Sequence, residues 1–309
     1  MHDQADQLRK LVRQAVRLDG SLAPGAPIIA VSGGQPGAGV TTIACGLARE
    51  LARLGKQVVL IDANLQRPHA AMLLARPYRL ASPHTPDPAS AGPGHPMALT
   101  GSLGEVLAGT RRAVEVLTTV EDGLRLLAGR PGALPLLDRE AVDRFFGEVH
   151  ALSQQADVIL IDAGSGMNSW IDRLWQLARG VLLVTTPDST AVVDSYAAVK
   201  LAQFHRLDQK LRLLVNRCPQ HAEAAALGRR FEETCRRFLF IGAKPVASLP
   251  SSDRDDDATQ FRRGVRLLAA DLACDFRAVA HRLPREKSNA VSDQLSALSQ
   301  HRSTPAAHD

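Results

Sequence analysis

Aromatic residues are scarce in this 309-residue sequence: they make up 4% of the chain, although hydrophobic residues make up 45%. Aliphatic side chains must therefore supply most of the packing in its core. No apolar run approaches the ~20 residues that a membrane-spanning helix needs, and no signal peptide opens the chain. These absences favour a cytoplasmic globular protein with one large α/β domain or two small ones.

Cysteine and clustered charge are scarce as well. The cysteines show neither CxxC nor His/Cys spacing, which argues against a metal site and favours reduced structural thiols. They are Cys45, Cys218, Cys235 and Cys274. The net charge is +5 and the pI is about 9.3, but no stripe of lysine or arginine stands out. This mild basicity permits contact with nucleic acid or anionic lipid and gives no clear prediction of nucleic-acid binding.

The most informative stretch joins an apolar strand to a helix through a glycine-rich turn. Residues 28–42 read IIAVSGGQPGAGVTT. The spacing from Gly34 to Gly39 and Thr41 is that of a phosphate-binding loop, in which backbone N–H groups and a helix N-terminus face an anion. Val40 stands where that pattern requires lysine. The sequence therefore predicts a phosphate cradle that lacks its cation.

Two further apolar strands end in aspartate. Residues 58–61 (VVLI) precede Asp62, and residues 158–161 (VILI) precede Asp162. Carboxylates at the carboxyl edge of parallel strands lie at the crevice where α/β sheets bind ligands. The second resembles a Walker B arrangement, in which the carboxylate holds Mg²⁺ directly or through water. Capping of the following turn is the alternative role for such an aspartate.

Strand and helix patterns alternate along the chain, which predicts a mostly parallel sheet covered by helices on both faces, as in P-loop NTPases. Predicted helices span 42–54, 99–108, 139–154, 189–203, 222–240 and 260–283. Further strands are predicted at 114–117, 124–127, 181–186, 211–215 and 244–249, with a charged loop at 253–257. Residues 77–97 contain six prolines and read as a surface insertion, and 284–309 as a disordered polar tail.

The first 19 residues are predicted to form a short amphipathic helix, because apolar residues recur at helical spacing between Leu8 and Val16. Glycine and proline in residues 20–27 break it and form a linker to the domain at 28–283. Spacing alone leaves open whether this helix docks on its own domain or binds elsewhere.

On these features residues 28–283 resemble the MinD/ParA superfamily of deviant-Walker P-loop ATPases, and within it the FlhG-type regulators of flagellar number and placement. Residues 3–9 (DQADQLR) match the N-terminal DQAxxLR helix of that type. Residues 185–200 (TTPDSTAVVDSYAAVK) resemble its TTPExTAxxDAYAxxK segment. Residues 215–217 resemble the strand end that contacts adenine in relatives.

The resemblance implies a partner for the N-terminal helix. In FlhG-type proteins this helix binds the GTPase FlhF and stimulates its GTP hydrolysis, and a helix on a flexible tether can reach another protein's groove. Gln4 is the candidate to orient the attacking water. The implied partner-binding residues are Asp3, Gln4, Ala5, Leu8 and Arg9. The remaining expectations are a homodimer and weak or no membrane association. The expected location is cytoplasmic, and it is peripheral at the inner membrane only through partners.

The sequence departs from the family loop KGGxGKTT where that loop carries charge. Gln35 replaces the lysine that crosses a dimer interface, and Val40 replaces the lysine on the β/γ-phosphates. Asn64 replaces the second aspartate of the DxD switch motif, so Asp62 and Asn64 are a degenerate catalytic pair. Each missing contact to a phosphate is worth roughly 1.5–3 kcal/mol. We therefore expect weak or absent ATP and ADP binding and little or no hydrolysis, as in a pseudo-ATPase.

The resemblance also assigns the remaining site residues. Thr41 and Asp162 would hold Mg²⁺. The implied nucleotide-binding residues are Gly34, Gln35, Gly37, Ala38, Gly39, Val40, Thr41, Thr42 and Asn216.

Two alternatives remain. One is an active, nucleotide-switched ATPase in cell-pole, division or chromosome positioning, in which another cation such as Arg67 serves the loop. The other is the bacterial tyrosine-kinase branch, because residues 62–68 (DANLQRP) resemble its DxDxRxP segment. Only two tyrosines, Tyr78 and Tyr196, are present, which argues against the kinase.

Overall fold

The computed structural model describes residues 25–75, 97–130, 137–202, 211–218, 220–250 and 255–280. The predicted N-terminal helix, linker residues 20–24, insertion residues 77–96 and the polar tail lie outside these residues. The described residues through Ala270 form one compact unit, and those from Asp271 to Ala280 belong to a second.

The described residues form one eight-stranded sheet. Its strands are β1 (Ile28–Gly33), β2 (Val58–Asp62), β3 (Thr118–Glu121), β4 (Leu124–Leu127), β5 (Val158–Ser165), β6 (Gly180–Thr185), β7 (Leu211–Val215) and β8 (Lys244–Ser248). They lie in the order β3-β4-β2-β5-β1-β6-β7-β8. The β3–β4 pair is antiparallel and the other neighbours are parallel. The predicted mostly parallel sheet is confirmed.

Eight α-helices connect or follow these strands in the described part of the chain. They are α1 (Val40–Arg53), α2 (Ala70–Ala75), α3 (Leu103–Leu107), α4 (Arg139–Ser153), α5 (Ser169–Leu177), α6 (Ser189–Leu201), α7 (His221–Leu239) and α8 (Asp255–Ala280). Right-handed crossovers put α1 on one face and α4 to α7 on the other, because the sheet is wound in opposite directions from β1. Helices therefore cover both faces, as predicted. No described helix is both long and apolar enough to cross a membrane.

Strand residues that alternate between the two faces build the core. On the face of α5, α6 and α7, Ala30 and Leu183 join a buried cluster with Trp175. Towards α3 and α4, Phe145 lies 5.2 Å from Trp170, measured between ring centroids. The described cysteines Cys45, Cys218 and Cys235 are free and buried. Aliphatic packing with a few fully buried aromatic rings thus stabilises the sheet.

Three predicted boundaries are wrong. Residues 114–117 are not a strand: a 3₁₀ helix spans Ala113–Glu115, and strand β3 starts only at Thr118. The apolar pattern of this short stretch fits either structure, and in the fold Val116 is buried while Val114 is exposed. The predicted helix at 99–108 is confined to α3, because a Ser102–Glu105 capping box starts it late. Residues 255–257 start α8 instead of forming a loop.

The edge strands oppose the addition of further strands. At one edge, β8 begins with an exposed lysine, Lys244, followed by Pro245, which has no N–H to donate. At the other edge, β3 is four residues long and its register with β4 shifts between Thr119 and Glu121. Charge, proline and short or irregular strands are the usual protection of sheet edges.

Candidate functional site

The glycine-rich loop lies at the carboxyl end of β1 and leads directly into α1. Gly37 has φ +87° and Gly39 has φ +94°, in the left-handed region that favours glycine. Gly39 is also the N-cap of α1. The loop thus has the backbone of a phosphate cradle at a helix N-terminus, as the spacing predicts.

Helix α6 packs directly on this loop. A Cβ added at Gly34 would lie 2.2 Å from the backbone nitrogen of Ser195 and 2.5 Å from the backbone carbonyl carbon of Asp194. Both residues belong to the 185–200 segment that resembles the family motif. The main chain of that segment therefore supports the loop and requires glycine at position 34.

Val40 occupies the lysine position as a buried apolar side chain. It is 6% exposed, and its Cγ2 lies 2.8 Å from the position a Cβ would take on Gly33. Its methyl group therefore packs against the end of β1. Gln35 is half-buried and carries no charge. Neither position thus supplies the positive charge that the family loop has there.

Asp62 and Asp162 are direct neighbours in the register of β2 and β5. Asp162 Oδ1 accepts the N–H of Gly164 at 3.0 Å. Its Oδ2 is buried and has no hydrogen-bond partner among the described residues. Burial raises the pKa of Asp162, and the nearby Thr41 hydroxyl lowers it. The strand order thus brings the two aspartates together beside the loop.

The donor set beside the loop fits Mg²⁺. A buried carboxylate oxygen without a hydrogen-bond partner remains on Asp162, with the Thr41 side chain close to that carboxylate. Aspartate and threonine oxygens at a phosphate loop are the ligands that P-loop proteins offer to this ion. The turn-capping role of Asp162, through Gly164, uses only its other oxygen.

Asn216 directly follows β7, and its side chain forms a hydrogen bond with the backbone of the glycine-rich loop. Its Nδ2 donates to the carbonyl oxygen of Ala38 at 2.8 Å, and a Cβ on Gly39 would lie 2.5 Å from that nitrogen. The side chain is buried. In this structure an N–H of the Asn216 side-chain amide is therefore hydrogen-bonded to the loop.

A family model described as the CobQ/CobB/MinD/ParA nucleotide binding domain matches residues 29–265. The chain belongs to this family. The predicted MinD/ParA resemblance is confirmed, and the loop, Asp62 and Asp162 all lie inside the matched residues.

Two curated relatives are similar to this CobQ/CobB/MinD/ParA family chain over most of its length. It is 26% identical to antiactivator FleN of Pseudomonas aeruginosa over 270 residues, 85% of this chain and 88% of that protein. It is 26% identical to flagellum site-determining protein YlxH of Helicobacter pylori over 224 residues, 72% of this chain and 66% of that protein. Both are FlhG-type proteins, so the narrower resemblance is confirmed as well.

Solved structures show the same fold. The MinD cell division protein of Aquifex aeolicus has a TM-score of 0.57 and 20% identity, over 80% of this chain and 97% of that one. The septum site-determining protein MinD of Pyrococcus horikoshii, complexed with Mg-ADP, has a TM-score of 0.56 and 18% identity, over 80% and 96%.

The switch position of this MinD/ParA-type domain is held in a turn. Asn64 Oδ1 accepts the N–H of Arg67 at 3.1 Å, and the Asn64 side chain packs on Gly164, where a Cβ would lie 2.8 Å from its Cγ. A carboxamide does not accept a proton at neutral pH. Asn64 thus acts as a turn residue, and the described site has no base at this position.

Asp62 is buried and supports the same segment. Its Oδ2 accepts the N–H of Ala70 at 2.9 Å, and its Oδ1 accepts that of Asn64 at 3.3 Å. Burial and the adjacent Asp162 raise the pKa of Asp62 to about 7, against the opposing effect of these hydrogen bonds. Asp62 therefore titrates near neutral pH in the protein without metal.

Asp62→Asn should change how stability depends on pH. Because the pKa of Asp62 is raised from 3.8 to about 7, the native state holds more protons than the unfolded chain between those values. The contribution of the Asp62 carboxyl to the free energy of unfolding is fully present below pH 3.8. It is lost as the pH rises through about 7. The shift corresponds to about 4 kcal/mol.

Urea denaturation in metal-free buffer measures this effect. From about pH 4.5 to pH 8 the free energy of unfolding of the variant, minus that of the wild type, should rise by a few kcal/mol. Asp157→Asn, at the other end of β5, controls for loss of a carboxylate. A difference that does not vary with pH would contradict the burial argument.

Sequence reasoning missed two groups that shape the site. Trp170 on α5 donates its indole N–H to the carbonyl oxygen of Ala63 at 2.9 Å, which fixes the chain after β2. Ser195 on α6 is buried and donates to the carbonyl oxygen of Ala191 at 2.7 Å, and its backbone nitrogen faces Gly34. Only Asn168, which caps α5 through the N–H of Ile171, gave a local signal of that helix.

Proposed function

We propose that this protein is an FlhG-type regulator of flagellar number or placement with weak or no ATPase activity, which acts through its N-terminal helix on an FlhF-like GTPase. The single observation that carries the loss of activity is Val40, a buried apolar side chain at the lysine position of a phosphate loop that keeps Gly34, Gly39 and Thr41. The flagellar assignment is supported by the similarity to FleN and YlxH.

Loss of hydrolysis follows from the charges at the site. Phosphoryl transfer depends on positioning and on stabilising charge at the transferred group. Val40 and Gln35 supply no positive charge, and Asn64 offers no carboxylate to the attacking water. The cradle backbone and the Thr41–Asp162 pair remain. Nucleotide with Mg²⁺ would therefore act as a weak ligand that biases the conformation, and turnover would be minimal.

Addition of the peptide 1–20 to the cognate FlhF-like GTPase should raise its rate of GTP hydrolysis, because the peptide contains the DQAxxLR match. Gln4→Ala should reduce this stimulation, since a glutamine can orient the attacking water. Gln7→Ala is the matched control, because Gln7 occupies a variable position of the same motif and should leave stimulation intact. Phosphate release under single-turnover conditions measures the effect.

Absence of stimulation by both the peptide and the full chain would refute the proposed partner. Equal loss with Gln4→Ala and Gln7→Ala would refute the role of Gln4. In that case general helix binding, and not water positioning, would explain stimulation.

A nucleotide-switched ATPase is the second candidate, favoured by the buried Asp162 Oδ2 without a hydrogen-bond partner. Under the main proposal, ATP turnover by the purified protein should stay at background and Thr41→Ala should not change it. Turnover well above background that Thr41→Ala abolishes would establish the second candidate. A homodimer that depends on ATP belongs to this alternative.

A further inference from the structure

Two helices bring four arginines to one cavity at the carboxyl end of α1. The cavity has a volume of about 390 Å³. Its lining residues lie on α1, on the C-cap of α1 and on α8, and they are Glu50, Arg53, Leu54, Arg262, Arg263 and Arg266. All of them belong to the compact unit that ends at Ala270. We name this feature the arginine cavity.

The α8 arginines flank the apolar stripe through which this helix packs on the domain. Phe261 and Val265 are buried, and each is followed directly by an arginine, Arg262 or Arg266. Residues 259–270 contain three arginines and no acidic residue. Like charges at positions i and i+4 of a helix repel each other and destabilise it. A bound anion would turn this unfavourable arrangement into a favourable one.

An ion pair orients the arginine that α1 contributes. Arg53 Nη1 lies 2.6 Å from Glu50 Oε1, and the side chains are 50% and 8% exposed, respectively. The Glu50 carboxylate is therefore fixed within the protein, and the Arg53 guanidinium extends towards solvent. Glu50 is the one acidic residue among the described lining residues, so the lining has an excess of three positive charges.

The arginine cavity is separate from the glycine-rich loop. Helix α1 begins at Val40 beside that loop and has 14 residues, so Arg53 lies about 20 Å from the loop along the helix. Helix α8 is packed closely on the residue after β8, because a Cβ added at Gly264 would lie 2.4 Å from Leu249 Cδ2. Two packed helices thus form the walls of this second cationic site.

We propose that the arginine cavity binds a small ligand that carries two or more phosphoryl groups. A guanidinium binds phosphate oxygens through two parallel hydrogen bonds, and arginines from both helices can contact one such ligand. The volume suits an anion of oligophosphate or nucleotide size. A concave site between two helices favours a compact anion over a nucleic-acid duplex, which binds along an extended basic surface.

Isothermal titration calorimetry of the full-length protein with sodium tripolyphosphate, in buffer without Mg²⁺, tests the proposal. Tripolyphosphate should bind at least about tenfold more tightly than orthophosphate, because the longer anion reaches more guanidinium groups. Arg263→Gln combined with Arg266→Gln should weaken its binding by roughly 100-fold. Arg53→Gln should weaken it by roughly 10-fold, which tests whether both helices contact the same ligand.

The matched control combines Arg229→Gln and Arg230→Gln. It removes the same charge from two exposed positions on α7 that do not line the cavity, and it should bind tripolyphosphate like the wild type. Circular dichroism melts at low salt without ligand are the second measurement. The midpoint of the Arg263→Gln and Arg266→Gln variant should equal or exceed that of the wild type, because like charges have been removed.

Four results would overturn the proposal. The wild type fails to bind tripolyphosphate, or the cavity variants bind it as tightly as the wild type, which would assign binding to the glycine-rich loop. The control variant loses as much affinity as the cavity variants, which would make the effect one of net charge. The cavity variants lose affinity only for a 20-base-pair DNA duplex, which would make the arginines part of a nucleic-acid surface. The ligand-free midpoint falls, which would make the arginines structural. None of these results depends on the flagellar assignment or on ATP turnover.

Discussion

Val40→Lys should tighten the binding of Mg-ATP and Mg-ADP by roughly 10- to 100-fold, since one charge-assisted hydrogen bond to a phosphate is worth roughly 1.5–3 kcal/mol. Val40 is the first residue of α1, and its Cγ2 packs on Gly33. Lysine is unbranched at Cβ, so its stem can pass Gly33 and bring the ammonium group to the anion. Isothermal titration calorimetry measures the change.

The matched control is Val40→Met, which lengthens the side chain without adding charge and should not tighten binding. Val40→Lys combined with Asp162→Asn should lose much of the Mg²⁺-dependent part of the gain, because Asp162 is the proposed Mg²⁺ ligand. Micromolar binding by the wild type that Val40→Lys leaves unchanged would contradict the prediction. The cradle backbone would then suffice without its cation.

Gly34→Ala should destabilise the protein by about 3 kcal/mol or more, or prevent its folding. The new Cβ would lie 2.2 Å from the backbone nitrogen of Ser195. A side chain could relieve such a clash by changing its rotamer, but the backbone of a helix cannot. Relief requires that α6 move away from the loop. Chemical denaturation of the soluble variant, or its recovery in the insoluble fraction, measures the loss.

Two other glycines provide controls. Gly147 lies inside α4 with no atom within 4 Å of an added Cβ, so Gly147→Ala should stabilise by about 0.5–1 kcal/mol. Gly37 also has open space but φ +87°, so Gly37→Ala should cost about 1 kcal/mol through backbone strain. An unfolding midpoint of Gly34→Ala equal to that of the wild type would contradict the close packing of α6.

The strands that carry the site could be predicted because they are buried on both faces. Continuous apolar runs such as 58–61 and 158–161, followed by aspartate, have few other interpretations. Parallel order then places Asp62 beside Asp162, as their register shows. The left-handed glycines of the loop were likewise implied by their spacing.

Other parts of the site depend on contacts that sequence does not reveal. The sequence predicts Asn216 at the nucleotide and does not reveal that its side-chain amide bonds to Ala38, 178 residues away. Such a contact depends on where β7 meets the loop, which no local pattern records. Helix α5 was missed because it has only nine residues, too few for its apolar spacing to stand out from the strands around it.

The protected sheet edges limit how two copies of this protein can assemble. An exposed Lys244 and the imino residue Pro245 begin β8, and β3 has four residues with an irregular register. Growth of one continuous sheet across two molecules is therefore disfavoured at both ends. A dimer is therefore expected to pair helices or loops, and it closes as a pair only where both copies use the same surface patch. The same edges lower the risk of amyloid-like stacking at high local concentration.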